Sequence, residues 1–492
     1  MTEVTSAQTI IIPALSVAEE YDSNVWFTPK SLLGPNEKTD DFITFITPQI
    51  NVAHGDQFIK SSLTAGAVIG QYVNNPQLDY VGINTSGYLD LTGVAQREVS
   101  RRMTTLSLRG TFQYTPTRSG FGSVPNGSGP GTTFGSTQVG PLNSGLITTR
   151  TQSHIYTLGI GGAYLLTPAT SLAATYNYSR LSFGTQQSNG LNNVLFDTTG
   201  HQGSVSLSTL FTPRDTVGTT ALGSFYSQDQ STGGGTTTFT TFSGTAFWTR
   251  TWTQEWSSQL RGGAYVIPGS STVGQSQTAI APTGSVLINY RSFSEALRAA
   301  GATAGPFDEF ASSPLPFANL PTLPGTLSPG GVMSPGQYNA SLSYTFSVYP
   351  SYAGGAGAIR VHVVGINALG GITSKLTGQV GVNIASSEGS PSTGSYDTYG
   401  LTGGLRYLIG PVLANLTANY LNFQSSNPTS VRSINSLSKE FVMLTLSTAF
   451  NSQSFFRMDG FGTWGTPSSG EGTPAPPGAE PGSGSSGAGP RN

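Results

Sequence analysis

FWTRTWTQEWSSQLRGG, residues 247–263, holds three of the five tryptophans in the chain: Trp248, Trp252 and Trp256. A spacing of four and four is what one face of an α-helix would show. The residues between them argue otherwise. Thr245, Thr249, Thr251 and Thr253 are β-branched and poor helix formers. Read as a hairpin, the stretch resolves. Phe242, Gly244, Ala246, Trp248 and Trp252 share one parity of a strand, and Thr241, Ser243, Thr245 and Thr249 share the other. Thr253-Gln254-Glu255 makes the turn. Trp256, Leu260, Gly262, Ala264 and Val266 then lie on the apolar side of the returning strand, with Gln259 and Arg261 opposite. The indoles of both strand ends meet at one level, as in the aromatic girdles of membrane barrels.

The same period of two recurs from end to end. Leu106–Tyr114 alternates apolar residues with Ser107, Arg109, Thr111 and Gln113. Tyr338–Val348 alternates Tyr338, Ala340, Leu342, Tyr344, Phe346 and Val348 with Asn and Ser/Thr. Tyr156–Leu166, Leu376–Ile384, Tyr399–Ile409 and Val442–Phe450 sort likewise. Short turn signals separate the strands at 167–170, 212–215, 253–255 and 373–375. Longer Gly/Ser/Asn-rich loops, as at Ser119–Ser144 and Thr232–Gly235, lie between them. The count predicts an all-β, antiparallel up-and-down transmembrane barrel of about 18 strands (16–20), from near Thr9 to Phe450, with tight turns periplasmic and long loops outside. Val217–Tyr226 and Ile359–Gly365 have the least defined parity.

Composition fits. Charged residues are 9% of the chain, with five Lys, yet hydrophobic residues are only 36% and Gly numbers 64. Mean hydropathy is −0.10. A chain short of charge without being greasy suits a barrel with half its strand residues on lipid and half on a polar lumen. No apolar run is long enough for a transmembrane helix, which needs about 18 residues. There is no Cys, which excludes disulfides and thiol chemistry, and a net charge of −2 gives no reason to expect nucleic acid.

Three segments stand apart. Residues 1–8 form a residual N-terminal piece ahead of the 9–450 barrel. The outer-membrane reading calls for a leader; MTEVTSAQTIII has neither its basic nor its apolar region, and Ser6-Ala7-Gln8 reads as the trace of a cleavage site. Ser294–Gln337 opens on a short helix, SEALRAAGA, and turns Pro-rich; it is read as a plug or a periplasmic element. Residues 451–492 are a Gly/Pro/Ser-rich tail expected to be disordered.

The polar parity names the candidate pore lining: Arg109, Gln113, Gln259, Arg261, Asn289, Arg291, Arg360, His362, Arg406, Asn415 and Asn419. Five of these are arginines, and Asp90 is the clearest acidic candidate, which suggests a modest anion preference. The alternative is that the arginines pair within the wall. Trp248, Trp252 and Trp256 are the candidate interface aromatics. The four His (54, 154, 201 and 362) lie in no nucleophile motif, so neither catalysis, a metal nor a cofactor is expected.

PALSVAEEYDSNVWFTP (13–29) and DDFITFITPQINVAHG (40–55) carry a resemblance. Tyr21, Asp22, Asn24 and Val25, then Asp41, Thr47, Pro48 and Ile50, resemble the opening of a family of outer-membrane β-barrel porins often encoded beside exopolysaccharide and exosortase (PEP-CTERM) loci. The likeness covers roughly the first 115 residues, YVGINTSGYLDLTG and RRMTTLSLRGTFQYTP included. It implies porin-like transport of a hydrophilic solute or polysaccharide in contact with outer-membrane lipid, with a periplasmic secretion partner. The alternatives are a non-conducting barrel that anchors a periplasmic or surface partner, and a soluble β-rich fibre.

Overall fold

The computed structural model describes residues 8–26, 30, 33–56, 58–116, 120–121, 146–147, 152–184, 196–230, 236–267, 279–291, 337–351, 357–388, 395–425 and 436–449. Eighteen strands form one antiparallel sheet. In chain order these are β1 (Gln8–Asp22), β2 (Asp41–Gly55), β3 (Lys60–Tyr72), β4 (Tyr80–Asp90), β5 (Met103–Pro116) and β6 (Gln152–Thr167). Then come β7 (Thr170–Phe183), β8 (Phe196–Thr212), β9 (Asp215–Gln230), β10 (Thr236–Thr251), β11 (Trp256–Ile267) and β12 (Ala279–Arg291). The last six are β13 (Tyr338–Ser351), β14 (Gly357–Gly371), β15 (Leu376–Glu388), β16 (Ser395–Ile409), β17 (Val412–Ser425) and β18 (Ser436–Ala449). Each pairs with the next, and β18 returns to β1 in a register running from Ala14↔Ala449 to Asp22↔Phe441. The sheet is closed and has no free edge.

Closure makes the inside and outside of the barrel the two parities of every strand. On β1, Ala14, Ser16, Ala18, Glu20 and Asp22 are buried inward, while Leu15, Val17 and Tyr21 are exposed outward. The inward parity passes from strand to strand through facing residues, as in Thr345↔Val363, Val363↔Ala385, Ala385↔Thr398 and Thr398↔Phe423. Leu, Val, Ile, Phe and Tyr dominate the exposed hydrophobics of the other parity. Only a lipid environment accommodates such a belt, and a closed barrel satisfies every backbone group within it. No helix of the described residues is long and apolar enough to cross a membrane.

One end carries the tight turns, and a single chemical device opens four of them. The Thr167 hydroxyl accepts the backbone N–H groups of Ala169 and Thr170 at 3.2 and 3.0 Å. Thr212 does the same for Arg214 and Asp215, Thr253 for Glu255 and Trp256, and Thr373 for Lys375. The β16–β17 turn instead uses Gly410, whose φ of +58° suits a residue without Cβ. By the rule that barrel turns are short on the periplasmic side, this is the periplasmic end. Helix α1 (Thr92–Glu98) lies there too, between β4 and β5, where no helix was predicted. The segments 294–336 and 450–492, and with them the predicted helix, plug, tail and closing Phe450, lie outside the described residues, as do the two loops quoted above at 122–144 and 232–235.

Candidate functional site

The interior is the candidate site, and alternation alone builds it. Arg109 on β5 points inward and donates to Asn177 Oδ1 of β7 at 3.3 Å. Gln113 shares its parity and faces buried Ile155 in register. Gln259 and Arg261 lie inward on β11, with the Arg261 guanidinium 5.8 Å from the ring centre of buried Phe247. Asn289 faces Ser257 and Ser341. Arg406 and Asn415 are opposite one another on β16 and β17, both 4% exposed. Asn419 accepts a hydrogen bond from Thr402 at 2.7 Å.

His362 is misplaced by the sequence reading. On β14 the inward residues are Val361, Val363 and Asn367, and the outward ones Val364 and Ile366. His362 therefore faces lipid, stacked 4.3 Å from the Phe346 ring and 3.0 Å from the Tyr344 hydroxyl. Both faces of this strand are apolar, so polarity could not reveal which parity is which. Arg360 stands two residues earlier in the same ladder, on the outward register parity. Arg291 shares the inward register parity of Asn289, and the side chains of both arginines lie outside the described set.

The expected surplus of positive charge inside is small. By register, Lys60, Arg109, Arg261, Arg291, Arg406 and Lys439 share the inward parity with Glu20, Asp22, Asp41 and Asp90. Three of those carboxylates sit on β1 and β2, where the notable pattern was the acidic-aromatic motif rather than a lining. Asp90 accepts the Thr92 N–H at the start of α1.

That motif builds an inner structure at the outer mouth. Val25 and Trp26 of the first outer loop pack on Ile43, Phe45, Val68 and Met443 of the inner wall, with Leu78 alongside. The Lys439 ammonium lies 2.6 Å from Asp22, tying the last strand to the first. Asp22 also accepts the Asn24 N–H, and Asn24 reaches the Ser438 carbonyl. Asp41, fully buried, accepts from Asn74 N–H, Asn75 N–H and Asn75 Nδ2 at 2.7–2.9 Å. Three hydrogen bonds on one carboxylate are what a buried charge requires.

The tryptophans are where the hairpin reading put them. Trp252 and Trp256 are exposed outward at the turn end, and the Trp248 and Trp252 rings meet edge-on at 6.1 Å.

No family model matches the chain, and no curated protein matches it. Solved structures are similar to it in architecture. The outer membrane protein OpdK of Pseudomonas aeruginosa has 9% identity and a TM-score of 0.41, over 89% of this chain and 99% of that one. OccK3 (OpdO) of the same organism has 10% identity and 0.40, over 89% and 96%. The FrpB iron transporter of Neisseria meningitidis has 11% identity and 0.42, over 90% and 82%. Likenesses of this size say nothing about solute or mechanism. The closed ring of 18 strands and its apolar outer belt, both features of this chain, place it. It is a bacterial outer-membrane β-barrel.

Among the described residues no group of His, Asp and Glu could hold a metal ion. The four His spread over the outer face, His54 beside Thr9, His154 beside Tyr114, His201 beside Tyr176 and His362 beside Phe346.

Proposed function

We propose that the barrel is a channel for a hydrophilic solute. The observation that carries the reading is the inner parity: amides and hydroxyls recur around the whole ring while the outer parity is apolar. Amides and hydroxyls both donate and accept, so they can exchange bonds with water or with a polyhydroxylated chain. The basic positions of the inward register only modestly outnumber the acidic ones, which supports a weak anion preference and is compatible with a neutral cargo. An exopolysaccharide fits that chemistry, with residues 294–337, the connection between β12 and β13, as the element that would meet a secretion partner.

Purified protein in planar bilayers tests the channel. Ohmic single-channel currents are expected, with at most a modest preference for anions in a salt gradient. Loss of surface polysaccharide in a strain lacking the chain, restored by the wild type, would support the cargo. One observation favours a second reading, a closed anchoring or receptor barrel. Inner residues such as Gln228, Val361 and Thr417 have no exposed surface. Protein that is folded yet silent in bilayers establishes that reading instead.

A further inference from the structure

The three tryptophans wall a groove of about 560 Å³ on the outer face of β10–β12, floored by Leu260, Val286 and Ile288. Their polar edges are already engaged. Trp248 Nε1 donates to Asp215 at 3.0 Å and Trp252 Nε1 to Ser258 at 2.8 Å. The ring faces are left to line the groove, and Trp256 is braced by Tyr290 with ring centres 4.9 Å apart.

Above the tryptophans the wall loses its side chains. Ala246, Gly262 and Gly284 face one another across three strands, and Gly244 faces Ala264 one step higher. A Cβ added at Gly244 or Gly262 would meet nothing within 4 Å. The groove therefore continues as a trough into the lipid-facing belt. From Trp256 to Ala264 the strand rises about 26 Å, or about 19 Å of depth at a tilt of roughly 45°, close to the ~15 Å of one leaflet.

The rim carries the charges. The Arg250 guanidinium stacks 4.5 Å from the Trp252 ring centre and reaches Asp215 at 3.4 Å. Arg214, in the neighbouring turn, donates to the Trp252 carbonyl at 3.5 Å. Asp215 is already bonded to Thr212, Trp248 and Arg250, which leaves Glu255 of the turn as the other acid.

We propose that this groove holds one glycerophospholipid of the periplasmic leaflet, its acyl chain in the Trp-walled trough and its phosphate at Arg214 and Arg250. The groove belongs to the lipid interface itself, is apolar along one leaflet's depth, and has guanidinium groups where a headgroup would sit. The site is independent of whether the barrel conducts.

Indole fluorescence reads it. Trp26 packs inside the barrel, and Trp464 gives a background common to all variants. Full-length protein in detergent is titrated with phosphatidylethanolamine brominated on its acyl chain. Saturable quenching at one lipid per barrel is expected. Gly262→Phe, which fills the trough where a side chain has room, should raise the midpoint about tenfold, and Arg214→Gln should raise it severalfold. Folding of each variant is checked by heat-modifiable migration on gels. Unsaturable quenching that is identical in wild type and Gly262→Phe would mean bulk lipid only and overturn the site. Displacement by lipid A but not by unlabelled phosphatidylethanolamine would overturn the leaflet assignment. A dimer by native mass spectrometry, with the tryptophans shielded, would give the groove to a second copy instead.

Discussion

At the scale of single residues, carboxylates fix several of the turns and loops. Asp56, in the turn after β2, accepts the Ile59 and Phe58 N–H groups at 2.6 and 2.7 Å. These bonds, the Ile59 one foremost, hold its pKa below the ordinary aspartate value. A depressed carboxylate contributes stability that is fully present above the unfolded value, about 3.9, and lost as pH falls through the folded one. A carboxyl-carbon NMR titration should place the Asp56 midpoint below that of an unstructured peptide, with the Phe58 and Ile59 amide shifts moving at the same pH. An ordinary midpoint would count against the turn. Asp41 is the deeper case. Asp41→Ala strands two backbone donors and the Asn75 amide in a buried place, at about 1–3 kcal/mol for each donor left without a partner. Denaturant unfolding in micelles should show a marked loss; a change under about 0.5 kcal/mol, the usual surface effect, would sink the account.

At the scale of elements, strand faces decide what was readable. A side chain on the outer face of a barrel meets lipid and one on the inner face does not, so arginine should report the difference. Val364→Arg, outward on β14, should cost about 2–4 kcal/mol of folding free energy, with less near the rims. Asn383→Arg on β15, inward between Gly365 and Gly400, should stay within about 1 kcal/mol. The reverse order of costs would mean that the two faces of β14 and β15 have been exchanged, and equal costs that they do not differ in environment. The hairpin at the tryptophans was legible because its faces differ sharply, Thr and Ser against Trp, Phe and Leu. β14 was not, because Val361 and Val363 inside look like Val364 and Ile366 outside. On β9, Tyr226 is 5% exposed and inward while Phe225 is outward, which explains its undefined parity. The turn-opening threonines were in plain view, but their shared role needed the geometry. Helix α1 is only seven residues long, too short for the sequence to show a helical period.

At the scale of the whole molecule, the ring is closed by a pairing between the two most distant strands in the chain, and an ion pair sits at its outer end. Lys439 and Asp22 have side chains only 9% and 2% exposed. Nothing in the sequence links positions so far apart; the acidic-aromatic motif was visible, its partner on β18 was not. Beside the pair, Ser23 N–H donates to the Glu440 carbonyl at 2.9 Å and Glu440 N–H to the Ser23 hydroxyl at 2.8 Å. The first outer loop is thereby fastened to the last strand, and its Val25 and Trp26 are held over the inner wall. Removing one member of a buried pair leaves the other charge uncompensated, a loss of about 3–5 kcal/mol, whereas replacing both with apolar groups is often close to neutral. Lys439→Met should therefore lower the urea midpoint of the barrel in micelles well below wild type. Lys439→Met with Asp22→Leu should recover much of it. Lys60→Met is the control, since this inward lysine is exposed and exposed substitutions usually change stability by less than about 0.5 kcal/mol. If Lys439→Met unfolds like the Lys60 variant, the seam is held by its backbone ladder alone. If the double variant is worse than the single, the pair sets the register of closure, and its charge is needed for more than stability.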